Sequence, residues 1–296
     1  MPMTSSVPPA GESPTAPEKK KSRAGRNLPA AIGSAVVLLA AIAVTLLTFD
    51  SFPFVFLVTA AILVGVWELR NAFAVRGIRL PYEPLLLGTV LMLFGAWFGG
   101  SPPLATALAV TALGVMLWRL REGVDGFVRD ATAGVFVATY LPFLAGFVIL
   151  LIREDDGVWR AVAFVLVTIA SDIGGYAVGV LFGKHPMAPV ISPKKSWEGF
   201  AGSVVSSAVV GWLTVTYLLD GRWWVGVLLG AVAVVTATLG DLCESVIKRD
   251  LGIKDMSQVI PGHGGIMDRL DSLLATVAPA WLILHYLVDV SPNAGF

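Results

Sequence analysis

The chain has 296 residues, of which 56% are hydrophobic and 14% charged, and its mean hydropathy is +0.78; soluble domains run at about 45–50% apolar and about 25% charged. This excludes a water-soluble enzyme, a disordered protein and a disulfide scaffold, and it leaves an integral membrane protein. The 21 Lys and Arg residues balance 21 Asp and Glu residues, so no net positive field favours nucleic acid as a partner, and the lone Cys243 cannot form an internal disulfide.

Residues 1–28 are rich in Pro, Ser and charge and lack aromatic residues, a composition that cannot bury enough apolar surface to fold. The segment is too long and too polar to begin a secretory signal, so it reads as a disordered cytoplasmic tail. An apolar run of about 17–25 residues crosses the hydrocarbon layer as a helix. Spans are expected near 30–48, 52–70, 84–99, 103–119, 131–152, 159–181, 199–219, 223–242 and 270–289. The third and fourth are short and meet at Pro102-Pro103, which points to a tight hairpin. The fold class is an all-α polytopic transmembrane bundle of about nine spans, with N-terminal transmembrane helices at 29–152 and a C-terminal transmembrane region at 153–296. With the N-terminus cytoplasmic, all of the 21 basic residues except Arg153, Arg160 and Arg222 fall in inside segments. Lys and Arg in short loops set orientation in this way. No internal repeat marks an inverted-repeat transporter.

Polar residues concentrate at the cytoplasmic side of this arrangement. The first cluster is SDIGGY at 171–176, inside the sixth span, followed by the segment Gly183 to Phe200 with its SPKKSWEG run. A carboxylate at the depth of Asp172 is functional by default, being tolerated when it is paired, binds metal or faces water. The competing account is a buried ion pair or protonated acid that fixes helix packing. Gly174 and Gly175 would admit another helix or a ligand close to the backbone.

The second cluster runs from Gly240 to Ser272. Asp241, Glu244 and Ser245 share one helical face at the close of the eighth span, and Asp268, Asp271 and Ser272 repeat that spacing at the start of the ninth. Two acidic helix ends at one membrane surface can converge on a hard cation, and magnesium takes one or two carboxylates plus phosphates and waters. Asp268 and Asp271 also suit ordinary first-turn residues that interact with the helix dipole. Lys194, Lys195, Lys248, Arg249, Lys254 and Arg269 interleave with these acids as candidate phosphate ligands; contact with anionic headgroups explains only some of them. Pro261 to Gly265 can form a turn with exposed amides suited to an anion, with His263 a donor to a phosphate oxygen. His185 and His285 lack companions at metal-ligand spacing and read as non-functional.

The run from Ser245 to Asp271 closely resembles the signature of the phosphatidate cytidylyltransferase family: Ser245, Lys248-Arg249, Lys254-Asp255, His263-Gly264-Gly265, then Asp268-Arg269 and Asp271. SDIGGY and SPKKSWEG look like the family's other two motifs, with Gly175 where Ala is common and Ser196 where Thr is common. The resemblance implies condensation of CTP with phosphatidic acid to give CDP-diacylglycerol and pyrophosphate at the cytoplasmic face of the cell membrane. It implies that Asp241 and Asp268 hold Mg2+ (or Mn2+), with a monovalent cation such as K+ left open, and that Lys248, Arg249 and Arg269 contact phosphates. Lys194 and Lys195 would bind CTP phosphates or the lipid headgroup. Asp172, Ser245, Lys254, Asp255, His263, Gly264, Gly265 and Asp271 complete the substrate-binding set. A homodimer is left open. Two rivals are a CTP-dependent lipid-alcohol kinase and, with less support, an anion transporter; the DGxxAR run of a CDP-alcohol phosphotransferase is absent.

Overall fold

The computed structural model describes residue 37 and residues 40–257, 259 and 264–290. Among these, eight helices are long and apolar enough to cross a membrane. They are α1 (Phe52–Ala74), α2 (Tyr82–Gly99), α3 (Ser101–Leu120), α4 (Phe127–Ile152), α5 (Gly157–Phe182), α6 (Trp197–Leu218), α7 (Trp223–Leu251) and α8 (Met267–Leu287). Residues 40–46 of the expected first span are helical; much of that span lies outside the described residues, as does the tail at 1–28.

The expected hairpin joins α2 and α3 through Gly100 alone, whose φ of 77° suits a residue without a Cβ. Pro142 lies inside α4, where it removes one backbone donor, and the helix widens there into a π turn over Thr139–Phe143. Consecutive helices from α5 to α8 pack against one another, and α8 also packs on the second half of α4. Large apolar side chains remain exposed along the outer faces, as with Ile169, Ile173, Val180 and Leu181 on α5. Such a surface is suited to lipid.

Two features depart from the expected spans. The eighth was expected to end near 242, but α7 has 29 residues and continues to Leu251. At 1.5 Å per residue it is about 44 Å long, against a hydrocarbon core of about 30 Å. Apolarity stops near Gly240, yet Leu242, Glu244, Lys248 and Arg249 are good helix formers. Gly252 ends the helix with φ 73°, and the Gly252 and Ile253 amides donate to the Arg249 and Lys248 carbonyls, satisfying acceptors that a helix end leaves open. The second departure is a two-stranded antiparallel hairpin, β1 (Pro186–Ala188) and β2 (Ser192–Ser196), within an otherwise helical chain.

Buried ion pairs brace both ends. Asp156 pairs with Arg160, which is 1% exposed and also donates to the Leu284 and Val288 carbonyls, tying the start of α5 to the end of α8. At the opposite end Asp130 accepts from Arg119 at 3.0 Å, from Arg129 at 2.9 Å and from the Arg79 amide at 3.2 Å.

Candidate active site

All the polar motifs lie towards one end of the bundle: the end of α5, the hairpin, the start of α6, the last turns of α7 and the start of α8. Small residues bring α5 and α6 into close contact. A Cβ on Gly174 would stand 2.0 Å from Ser206 Oγ, and one on Gly175 would stand 2.4 Å from Ser203 Oγ. Ser203 and Ser206 hydroxyls donate across the interface to the Ser171 and Ala170 carbonyls at 2.7 and 2.8 Å. The glycines of SDIGGY therefore serve helix packing first, although Gly175 also borders the cavity beside it.

That cavity is about 270 Å3 and is bounded by Asp172 from α5, Lys194 and Lys195 from β2, Asp241 from α7 and Ser272 from α8. Asp172 and Asp241 each lie about 15 Å before the C-terminal end of their helices, and both border this one cavity. Lys195 Nζ forms an ion pair with Asp241 Oδ2, and both side chains are about one-third exposed or less. The hairpin that carries the lysines is fastened at its base. Glu198 accepts from the Lys184 and His185 amides at 3.1 and 3.2 Å and meets His185 Nδ1 at 2.6 Å. Ser196 caps α6 by accepting from the Gly199 amide at 3.1 Å.

A second cluster adjoins the first across the α7–α8 contact. Gly240 permits that contact, since a Cβ there would stand 2.6 Å from the Asp271 carbonyl oxygen. Glu244, one turn beyond Asp241, is fully buried. Lys248 Nζ is 3.2 Å from Glu244 Oε1 and 2.9 Å from Asp268 Oδ1. Asp268 Oδ2 accepts from the Gly265 amide at 3.0 Å and the Met256 amide at 3.1 Å, which folds the connection from α7 back onto the start of α8. Gly264 there has φ 87°, a backbone state that favours glycine.

Acidic and basic side chains thus meet around one cavity, an arrangement whose charges are suited to phosphates. The sequence profile described as the cytidylyltransferase family matches residues 30–287. The chain belongs to the cytidylyltransferase family. It is 42% identical to the phosphatidate cytidylyltransferase of Mycobacterium leprae, over 97% of this chain and 96% of that one. It is 41% identical to the protein of the same name in Mycobacterium bovis, over 92% of each chain. Identity is 30% to that of Haemophilus influenzae, over 86% of this chain and 97% of that one.

In this cytidylyltransferase the candidate residues fall into two neighbouring groups. Asp172, Lys194, Lys195 and Asp241 border one cavity. Lys248, Asp268, Gly265 and Glu244 are joined by direct contacts, with Gly264 in the same turn and the Asp271 backbone against Gly240. Asp241 and Asp268 therefore have different partners, and no three His, Cys, Asp or Glu side chains among the described residues form a ready metal-holding set. Ser245 is half-buried on α7, whereas Arg249, Lys254, Asp255 and Arg269 are exposed at the same end. His263 lies outside the described residues, as do Pro261 and Gly262. His185 and His285 pair with Glu198 and Glu154.

Three residues near these groups were not among the candidates. Glu244 shares the Asp241 face, as its spacing predicts, but falls outside the residues that the family resemblance picks out. The Tyr140 hydroxyl, from the π turn of α4, is buried without a hydrogen-bond partner among the described residues. Glu68 of α1 is fully buried and accepts from the Ile266 and Met267 amides. Its signal was a charge inside an apolar run, obscured because the span drawn at 52–70 placed it near an end, next to Arg70.

Proposed function

We infer that this protein condenses CTP with phosphatidate to give CDP-diacylglycerol and pyrophosphate. The observation that carries the reading is the cavity where Lys194, Lys195, Asp172 and Asp241 meet from three separate motifs. The names of the related proteins support the choice of substrates.

The chemistry asks for positioning and charge neutralisation. A phosphatidate oxygen, already ionised near neutral pH, attacks the α-phosphorus of CTP; the bond to the β-phosphate breaks, and pyrophosphate leaves with the electron pair. No general base is needed. Lys194 and Lys195 face the incoming phosphates, and Lys195 exchanges its ion pair with Asp241 for one with the nucleotide. Lys248, Arg249 and Arg269 supply further positive charge for the pyrophosphate.

The donor chemistry fits a hard cation. Both Glu244 oxygens are enclosed without a hydrogen-bond donor in good geometry among the described residues, and Asp241 presents its carboxylate in the cavity to a cationic partner. Asp241 and Asp268 would hold Mg2+ or Mn2+ together with substrate phosphates and water, and Glu244, one turn from the first and sharing Lys248 with the second, supports them. When bound, that ion neutralises charge on the transferred and leaving phosphates. A monovalent cation beside the divalent one, and a homodimer, are further parts of this reading.

The distribution of Lys and Arg supports a cytoplasmic N-terminus and a site that faces the cytoplasm in a multi-pass cell-membrane protein. CTP then arrives from water while the diacyl chains stay in the bilayer. The residues 153–296 carry the reacting groups, and the helices at 29–152 support them.

Purified protein given phosphatidate, magnesium and CTP labelled at the α-phosphorus is expected to yield a lipid-soluble label and release pyrophosphate in equal amount. Release of CDP, with terminal phosphate transferred to a lipid alcohol, would establish the kinase instead. Absence of labelled lipid, pyrophosphate and CDP alike, with a lipid alcohol also supplied, would remove both.

A further inference from the structure

Glu68 is carried by α1, far outside the family motifs, and its side chain is fully buried. Its Oε1 accepts from the Ser257 hydroxyl and, at 2.9 Å, from the Ile266 amide; its Oε2 accepts from the Met267 amide at 2.9 Å. These partners are Ser257 and the residues where the turn at Gly264–Ile266 leads into α8. A helix start leaves backbone amides without acceptors, and a carboxylate there is favoured by the helix dipole. Glu68 supplies that acceptor from a remote helix.

The same turn is held from its other side. Asp268 Oδ2 accepts from the Gly265 amide and from Met256. A Cβ built on Gly265 would stand 3.0 Å from Asp268 Oδ2 and from each Glu68 oxygen, so this glycine sits between the two carboxylates. The position of Asp268, and through it the Lys248 contact, therefore depends on where Glu68 places the turn. Packing of α1 does not require the carboxylate, because Val55, Ile62, Val66 and Leu69 already bury its apolar face.

We propose that Glu68 is a positioning residue for cytidylyl transfer, pinning Ser257 and the first turn of α8 so that Asp268 and Asp271 face the nucleotide phosphates. It rests on the reading of the site given above. A glutamine keeps the shape but turns an NH2 group towards a backbone donor, so one of the Ile266 and Met267 amides loses its acceptor.

The test uses full-length protein in lipid nanodiscs. Glu68→Gln is expected to lower kcat roughly 10–100-fold, the usual effect of removing a group that orients a metal or phosphate ligand, and to raise the magnesium concentration needed for half-maximal rate. Hydrogen exchange in peptides covering 257–270 is expected to quicken while peptides from α5 and α6 keep the wild-type rate. Glu68→Asp, which retains both oxygens, is expected to recover part of the activity. Wild-type exchange over 257–270 in Glu68→Gln would overturn the proposal, whatever its activity. So would quickened exchange throughout the bundle, which would mark a general stabilising role. The exchange comparison does not need turnover, so a wild-type protein that makes no CDP-diacylglycerol would refute the functional reading and leave this test intact.

Discussion

Lys195 and Asp241 illustrate how much one side chain contributes at this site. Sequence reading assigned the lysine to phosphate and the aspartate to metal, and the structure joins them in one ion pair at the cavity wall. A lysine with an acidic partner is pre-placed for an anion, because arrival of a phosphate only exchanges one negative group for another. Lys195→Met is expected to raise the KM for CTP roughly 10–100-fold, the loss of one charge-assisted hydrogen bond worth about 1.5–3 kcal/mol. Steady-state kinetics at saturating phosphatidate check this; an unchanged KM would place the lysine outside the CTP site. The motif residues were legible because polar types at fixed spacing are rare in an apolar chain. Glu68 was not, because it contributes by contacts across the fold that spacing does not encode.

At the level of elements, the order and limits of the helices were readable to within a few residues wherever apolarity and helix coincide. They diverged in α7, where the lipid requirement ends near Gly240 while the helix continues for three more turns on Glu, Lys and Arg. That extension places Asp241, Glu244 and Lys248 on one rigid face, so Asp241 lies within a helix and not at its tip. The β1–β2 hairpin was missed because its Pro-rich, polar sequence lacks the alternation that marks a strand. Gly240 sets the α7–α8 distance. Gly240→Ala introduces a methyl group 2.6 Å from the Asp271 carbonyl oxygen and is expected to destabilise the protein by about 1–3 kcal/mol, as overpacking does, while lowering kcat through displacement of Asp271. Thermal unfolding and turnover measured together test this, and wild-type values for both would show that the α7–α8 contact tolerates a side chain.

For the whole molecule, positive charge distribution and hydrophobic run length were enough to anticipate a many-helix membrane protein. Some of the cations counted for orientation turn out to have local structural work as well: Arg119 is 1% exposed and bound to Asp130, and Arg76 donates to the Asp250 carbonyl at the end of α7. The N-terminal helices thus reach the end that carries the polar motifs through Arg76 and Glu68, two contacts that the proposed division into supporting and reacting halves does not reveal. The central claim is that acids from α7 and α8 act on one nucleotide although their resting partners differ. Transfer of α-phosphorus label from CTP to lipid, measured for Asp241→Asn and Asp268→Asn after each is verified as folded in the membrane, tests it most directly. Both variants are expected to lose at least about 100-fold in turnover; retention of wild-type turnover by both would contradict the account.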